Sequence, residues 1–136
     1  MREIKFRAWL KDDKTMEFVD IIDWNFESIS FSKLIPIKES NPEYDEIEVR
    51  FKEVELMQYT GLKDRNGKEI YEGDIVKNIV TLCVGEILWV KAYCRYGLKE
   101  AIFPNSTKPI VDCTMAQRYE VIGNIYENSE LLNNGE

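Results

Sequence analysis

Residues 61–77 read GLKDRNGKEIYEGDIVK. Gly61, Gly67 and Gly73 punctuate this stretch, and a glycine can take left-handed conformations that a Cβ disfavours. Asn66-Gly67 is the pair that a type I′ hairpin turn favours, because that turn needs positive φ at both central residues. The Asp64 carboxylate can accept backbone N–H groups a residue or two later, an Asx-type bond. Glu72-Gly73-Asp74 then leads into the apolar pair Ile75-Val76. The stretch is therefore predicted to form a tight turn and then start a strand. Gly61, Asp64, Asn66, Gly67, Gly73 and Asp74 are its structural residues.

Extended structure is expected on both sides. Ile4, Phe6 and Ala8 alternate with Lys5, Arg7 and Trp9, the period-two pattern of a half-covered strand. A polar segment, residues 11–15, separates them from Met16, Phe18 and Val19, which predicts a hairpin over residues 3–22. Ile22, Trp24 and Phe26 share one parity and Ile29 and Phe31 the other, so a bulge or break is expected near Glu27-Ser28. Pro36 and Pro42 push the residues before them away from helix, and residues 38–46 read as a surface loop. Residues 44–57 satisfy both a helical and a strand pattern; their β-branched residues favour the strand.

Downstream, Ile75-Val76 and Ile79-Val80 flank Lys77-Asn78. Residues 84–96 carry apolar side chains on both parities, which suggests one long strand covered twice or bent through a closed barrel. Tyr119, Val121 and Ile125 mark a last strand, in which Gly123 permits a bend or close approach. The expected fold is mainly β, with few or no helices. An N-terminal hairpin subdomain spans residues 1–60, a C-terminal small barrel 61–128, and a tail 129–136. The Gly-Asp-apolar step at Gly73 resembles the start of the Src-homology-3-like barrels, an analogy of fold that carries no function.

Several chemistries fail on the residues. Counted from Asp64, a Ca²⁺ loop needs an oxygen ligand at its fifth position and glycine at its sixth; Lys68 and Glu69 stand there. A phosphate-cradling loop needs its two glycines five apart and Ser or Thr after the lysine. Gly61 and Gly67 are one residue too far apart, and Glu69 follows Lys68. There is no histidine, which removes the commonest general base and the usual partner of a nucleophilic Ser or Cys. No catalytic, cofactor or metal residues are therefore assigned, and a non-enzymatic role is expected. Cys83, Cys94 and Cys113 form no close pair and read as buried thiols in a reducing compartment. Trp9, Trp24 and Trp89 lie in alternating apolar contexts, so most are expected in the core.

Composition narrows the partners. The 136 residues hold 25 Asp and Glu against 18 Lys and Arg, a net charge of −7, which disfavours an unspecific nucleic-acid binder. Lys5, Arg7, Lys63, Arg65, Lys68 and Lys77 could still gather on one basic face, and an acidic surface could also mimic DNA. No run approaches the roughly 20 apolar residues of a membrane helix. The first residues lack a signal peptide's apolar core, so a cytoplasmic location is expected.

Three blocks together resemble one family. They are residues 1–9 (MREIKFRAW) with Met16, residues 56–76 (LMQYTGLKDRNGKEIYEGDIV) and residues 119–128 (YEVIGNIYEN). These resemble the YopX family of phage and prophage proteins. The resemblance implies a small, mainly β protein of a bacteriophage or prophage, acting in the bacterial host, with a barrel-like second half and no catalytic residues to carry over. Residues 31–44 and 99–115 match nothing quotable, and a variable partner surface is expected there. Ser129 stands where a proline is usual, so the end of the last strand is less sharply set. The expected partners are a second copy of the chain and an unknown host or phage protein.

Overall fold

The computed structural model describes residues 3–35, 43–103, 105–110 and 112–133. Among these residues the strands run β1 (Phe6–Leu10), β2 (Thr15–Phe18), β3 (Ile21–Asp23), β4 (Ser28–Ile35), β5 (Glu43–Arg50), β6 (Val54–Lys63), β7 (Glu69–Tyr71), β8 (Asp74–Asn78), β9 (Val84–Val90), β10 (Arg95–Glu100), β11 (Lys108–Pro109) and β12 (Tyr119–Asn124). Helix is confined to α1 (Cys113–Ala116), α2 (Glu130–Asn133) and 3₁₀ turns at Phe51–Glu53 and Lys91–Tyr93. Among the described residues the chain is mainly β, 54% strand against 12% helix, with curled sheets as in a small β-barrel. No helix among the described residues is long and apolar enough to cross a membrane.

The chain divides into two compact units, Lys5–Met57 and Gln58–Glu136 with Met1–Ile4. In the first, β1 and β2 form the hairpin that the alternation predicts, with Arg7 opposite Phe18 and Leu10 opposite Thr15. Its turn places Lys14 at φ 55°. β4 lies between β3 and β5. Ala8, Leu10, Ile29, Phe31 and Val54 make the core, and Ile47 and Val49 of β5 pack against it.

Two expectations for this unit are corrected. Trp24 and Phe26 do not continue a strand. Asp23 Oδ1 accepts the N–H groups of Asn25 and Phe26 at 2.9 and 3.0 Å. This ends β3, and Glu27 at φ 50° completes the reversal into β4. Glu43–Glu46, expected in a loop, belong to β5, because the ladder with β4 continues to the pair Ile35–Glu43. Proline fixes its own φ and restricts the residue before it, and neither limit reaches Glu43 or its successors. Residues 38–42 of that loop lie outside the described residues. The ambiguous segment after them resolves as β5, the 3₁₀ turn and β6.

In the second unit five strands run in the order β11-β10-β9-β8-β12, and β7 pairs with β6. Leu62, Ile70, Val76, Ile87, Tyr96, Leu98, Ile110 and Ala116 form the core. Residues 84–96 are not one strand. β9 stops at Val90, the 3₁₀ turn follows, and Cys94 takes the left-handed conformation (φ 50°, ψ 46°). β10 then returns antiparallel, with Arg95 opposite Val90. Non-glycine residues rarely adopt this conformation, so no Gly or Asn announced the reversal. β12 carries a bulge between Val121 and Gly123 in its pairing with β8. Its end is sharp: Asn124 Oδ1 accepts the N–H groups of Tyr126 and Glu127 at 3.0 and 2.9 Å. Within the stretch read as a tail, Glu130–Asn133 form α2.

Candidate functional site

The turn predicted from residues 61–77 is organised by one carboxylate. Asp64 is buried, with 1% of its surface exposed. Its Oδ1 accepts the N–H groups of Asn66 and Lys68 at 2.8 and 2.9 Å, and its Oδ2 accepts the Val121 N–H at 2.9 Å. Three charge-assisted bonds from backbone donors replace the water lost on burial. The Asp64 carbonyl accepts the Gly67 N–H at 3.0 Å, closing a β-turn over Arg65 and Asn66. Of the Asn66-Gly67 pair only Gly67 has positive φ, 81°, so the turn is not type I′. It has the pattern of a type I turn followed by a left-handed glycine. The physical reason is the Asp64 side chain, which bonds the Asn66 N–H within the turn.

Asp74 is buried as well, and its Oδ2 accepts the Tyr71 N–H at 2.8 Å. Gly73, at φ 83°, donates its N–H to the Ile87 carbonyl and accepts the Ile125 N–H, tying two strands to the turn. Gly61 has φ 87°. The carboxylates of Asp64 and Asp74 therefore face backbone donors. Among the described residues no group of three or more Cys, Asp or Glu is placed to hold a metal ion. Arg7 is buried, 8% exposed, and so is not part of an open basic face.

A different surface of the second unit is open. Trp89 near the end of β9 and Tyr96 at the start of β10 meet edge to face, with ring centroids 5.0 Å apart. A groove of about 380 Å³ lies on one side, its walls including Thr60, Leu62, Arg95 and Ile110. A second, of about 370 Å³, is lined by Gln58, Glu72, Trp89 and Tyr96. Arg95 is the charged residue of the first groove, and its guanidinium carbon stands 4.6 Å from the Tyr93 ring centroid. Glu72 is the charged residue of the second, and its Oε1 accepts the Gln58 N–H at 2.8 Å.

Sequence reasoning missed this site. Trp89, expected in the core, is 47% exposed, and Trp24 is 68% exposed with its ring edge-on to Phe51. Alternation identifies the two faces of a strand without saying which is covered. The thiols are corrected too: Cys94, on the groove wall, and Cys113 are exposed, and Cys83 is half-buried. A detectable signal was the density of Trp, Tyr and Arg in residues 89–96, the types that dominate contact surfaces.

A family model described as YopX protein matches residues 5–133. The chain belongs to the YopX family. A solved structure, "Crystal structure of protein EF1440 from Enterococcus faecalis", is 29% identical to this YopX chain. It superposes with a TM-score of 0.63, covering 97% of this chain and 99% of the other. No curated protein matches. The turn around Asp64 and the aromatic groove both fall inside the matched YopX span.

Proposed function

We propose that this YopX-family chain is a non-enzymatic protein-interaction module that self-associates, serving a phage or prophage in the cytoplasm of its bacterial host. The observation that carries the reading is the open surface around Trp89 and Tyr96. Trp, Tyr and Arg are the residues that most often dominate contact energies: Trp and Tyr cover a large area with few torsions to freeze, and the planar Arg guanidinium stacks and pairs at once. Here Trp89, Tyr93, Arg95 and Tyr96 come together on one hairpin, beside a groove lined by both apolar and polar residues. A hydrolytic alternative gains little from this surface, whose one lining carboxylate among the described residues, Glu72, already accepts a backbone N–H.

Sedimentation of the full chain over a wide concentration range tests the proposal. The expected result is a reversible, concentration-dependent rise in mass. It should weaken on Trp89→Ala while the circular dichroism spectrum is unchanged. A strict monomer at every concentration would end the self-association part of this reading.

A further inference from the structure

Among the described residues β5 is an edge strand: the sheet order is β3-β4-β5, and no other described strand of that sheet adjoins it. It carries Glu43, Asp45, Glu46 and Glu48 within eight residues. Its alternation sorts these side chains into two rows. Ile47 and Val49 face the first unit's core, so Tyr44, Glu46, Glu48 and Arg50 share the opposite face, and all four are exposed. Tyr44 is 64% exposed. This row is an aromatic anchor followed by two carboxylates, at steps of about 7 Å, with Arg50 one step further at the strand's end.

The first groove beside Trp89 is complementary to that row. Its walls combine the aromatic and aliphatic side chains of Trp89, Tyr96, Leu62 and Ile110 with the polar Thr60, and Arg95 is its charged lining residue. Arg95 is half-buried and lies over the Tyr93 ring, which limits the freedom it would lose on pairing. The turn between β9 and β10 adds Lys91 and no carboxylate. Lys5–Met57 holds thirteen Asp and Glu against eight Lys and Arg, so the acidic excess lies mostly in the unit that carries β5.

We propose that the Trp89–Tyr96 groove of one copy receives the Tyr44-Glu46-Glu48 row of β5 from a second copy, with the Tyr44 ring against Trp89 and the Glu46 carboxylate on Arg95. This assignment rests on the self-association reading above and adds which surfaces meet. Pairing β5 with β5 would instead set two acidic strands side by side, a repulsive arrangement. The contact joins two different patches. It closes a dimer if two copies can make it reciprocally, and otherwise builds a ring or a chain.

The test is sedimentation equilibrium of the full chain and its variants, each checked for folding by thermal melting. Arg95→Glu and Glu46→Arg should each weaken association at least about tenfold, the scale of a contact that matters. A chain carrying both reversals should recover most of the wild-type affinity. Added salt should weaken wild-type association, as for any charge-complementary contact. Tyr44→Ser should weaken it by a similar factor without changing the salt dependence. If Arg95→Glu does not fold, Glu46→Arg, on the exposed face of an edge strand, still decides the matter. Wild-type association that is unmoved by these variants, or a double reversal no better than its parents, overturns the pairing and leaves self-association standing. A wild type that never associates overturns both.

Discussion

The Asp64 carboxylate accepts the Val121 N–H at 2.9 Å across 57 residues of sequence. One bond thereby fixes the central turn, between β6 and β7, to β12 at the end of the five-stranded sheet. The adjacent bond from the Arg65 N–H to the Tyr119 carbonyl, at 3.1 Å, fixes the same register from the other direction.

Replacing Asp64 by Ala leaves three backbone N–H groups without their acceptor. We expect a loss of about 3 kcal/mol or more, since bonds to a charged group are worth about 1.5–3 kcal/mol each. The melting temperature should fall by about 10 °C. Asp64→Asn keeps one acceptor oxygen and turns the other into a donor, so it should fall between the two. Amide exchange at Val121 in that variant should speed up more than at Asn66 if the amide oxygen stays with the turn.

Two glycines should respond differently to a methyl group. A Cβ on Gly67 meets nothing within 4 Å, but φ there is +81°. Gly67→Ala should cost about 1 kcal/mol from backbone strain alone, and Gly67→Asn less. A Cβ on Gly85 falls 2.8 Å from the Lys99 carbonyl and 2.7 Å from Leu98 Cδ1. Gly85→Ala must separate β9 from β10 and should cost about 2 kcal/mol. Urea unfolding of both variants checks the order. Equal losses would remove the distinction.

Glu86 gives the fold a pH dependence. It sits in β9 opposite Ile75 and Lys99. Burial pushes its carboxyl above the ordinary value of 4.5, and Lys99 offsets this in part. The folded chain therefore holds this proton more tightly than the unfolded chain does. The associated stability is present below pH 4.5 and is lost as pH rises through the higher folded value. Glu86→Gln should be at least as stable as the wild type near neutral pH, with its advantage shrinking as pH falls through that window. A constant difference across the range would contradict this.

The thiols offer a direct chemical check. Cys94 and Cys113 are exposed and Cys83 is half-buried. A maleimide should label the first two rapidly on the native protein and Cys83 more slowly. Uniformly slow labelling, released only by denaturant, would restore the buried-thiol reading that composition suggested.

The legible parts of this fold were local. The hairpin of β1 and β2 follows from strict alternation on both sides of a polar segment. Gly67 and Gly73 could be assigned special backbone conformations because glycine advertises them. Cys94 adopts the same left-handed region without that advertisement, so the reversal between β9 and β10 went unread, whereas at Glu27, also left-handed, the switch of parity marks a break. Asp64 shows the divide within one residue. Its bond to Asn66 can be reasoned from neighbours, whereas its bond to Val121 depends on which distant strand returns beside the turn. Trp89 was misplaced for a related reason: exposure depends on what packs over a face, which the strand's own sequence does not state.

The distance in sequence between Asp64 and Val121 also sets an order of events during synthesis. At about 5–20 residues per second, the ribosome needs roughly 3–11 s to make the 57 residues between them. Lys5–Met57 is complete before Asp64 is translated, so the first unit can fold on the nascent chain while the carboxylate of the second waits for its last donor. Chains stalled just before Val121 should be cut readily by protease in the second unit and resist in the first. Chains that extend past Glu127 should resist throughout once they clear the exit tunnel. A messenger truncated between those points would yield a product selected for degradation by its own unfinished turn.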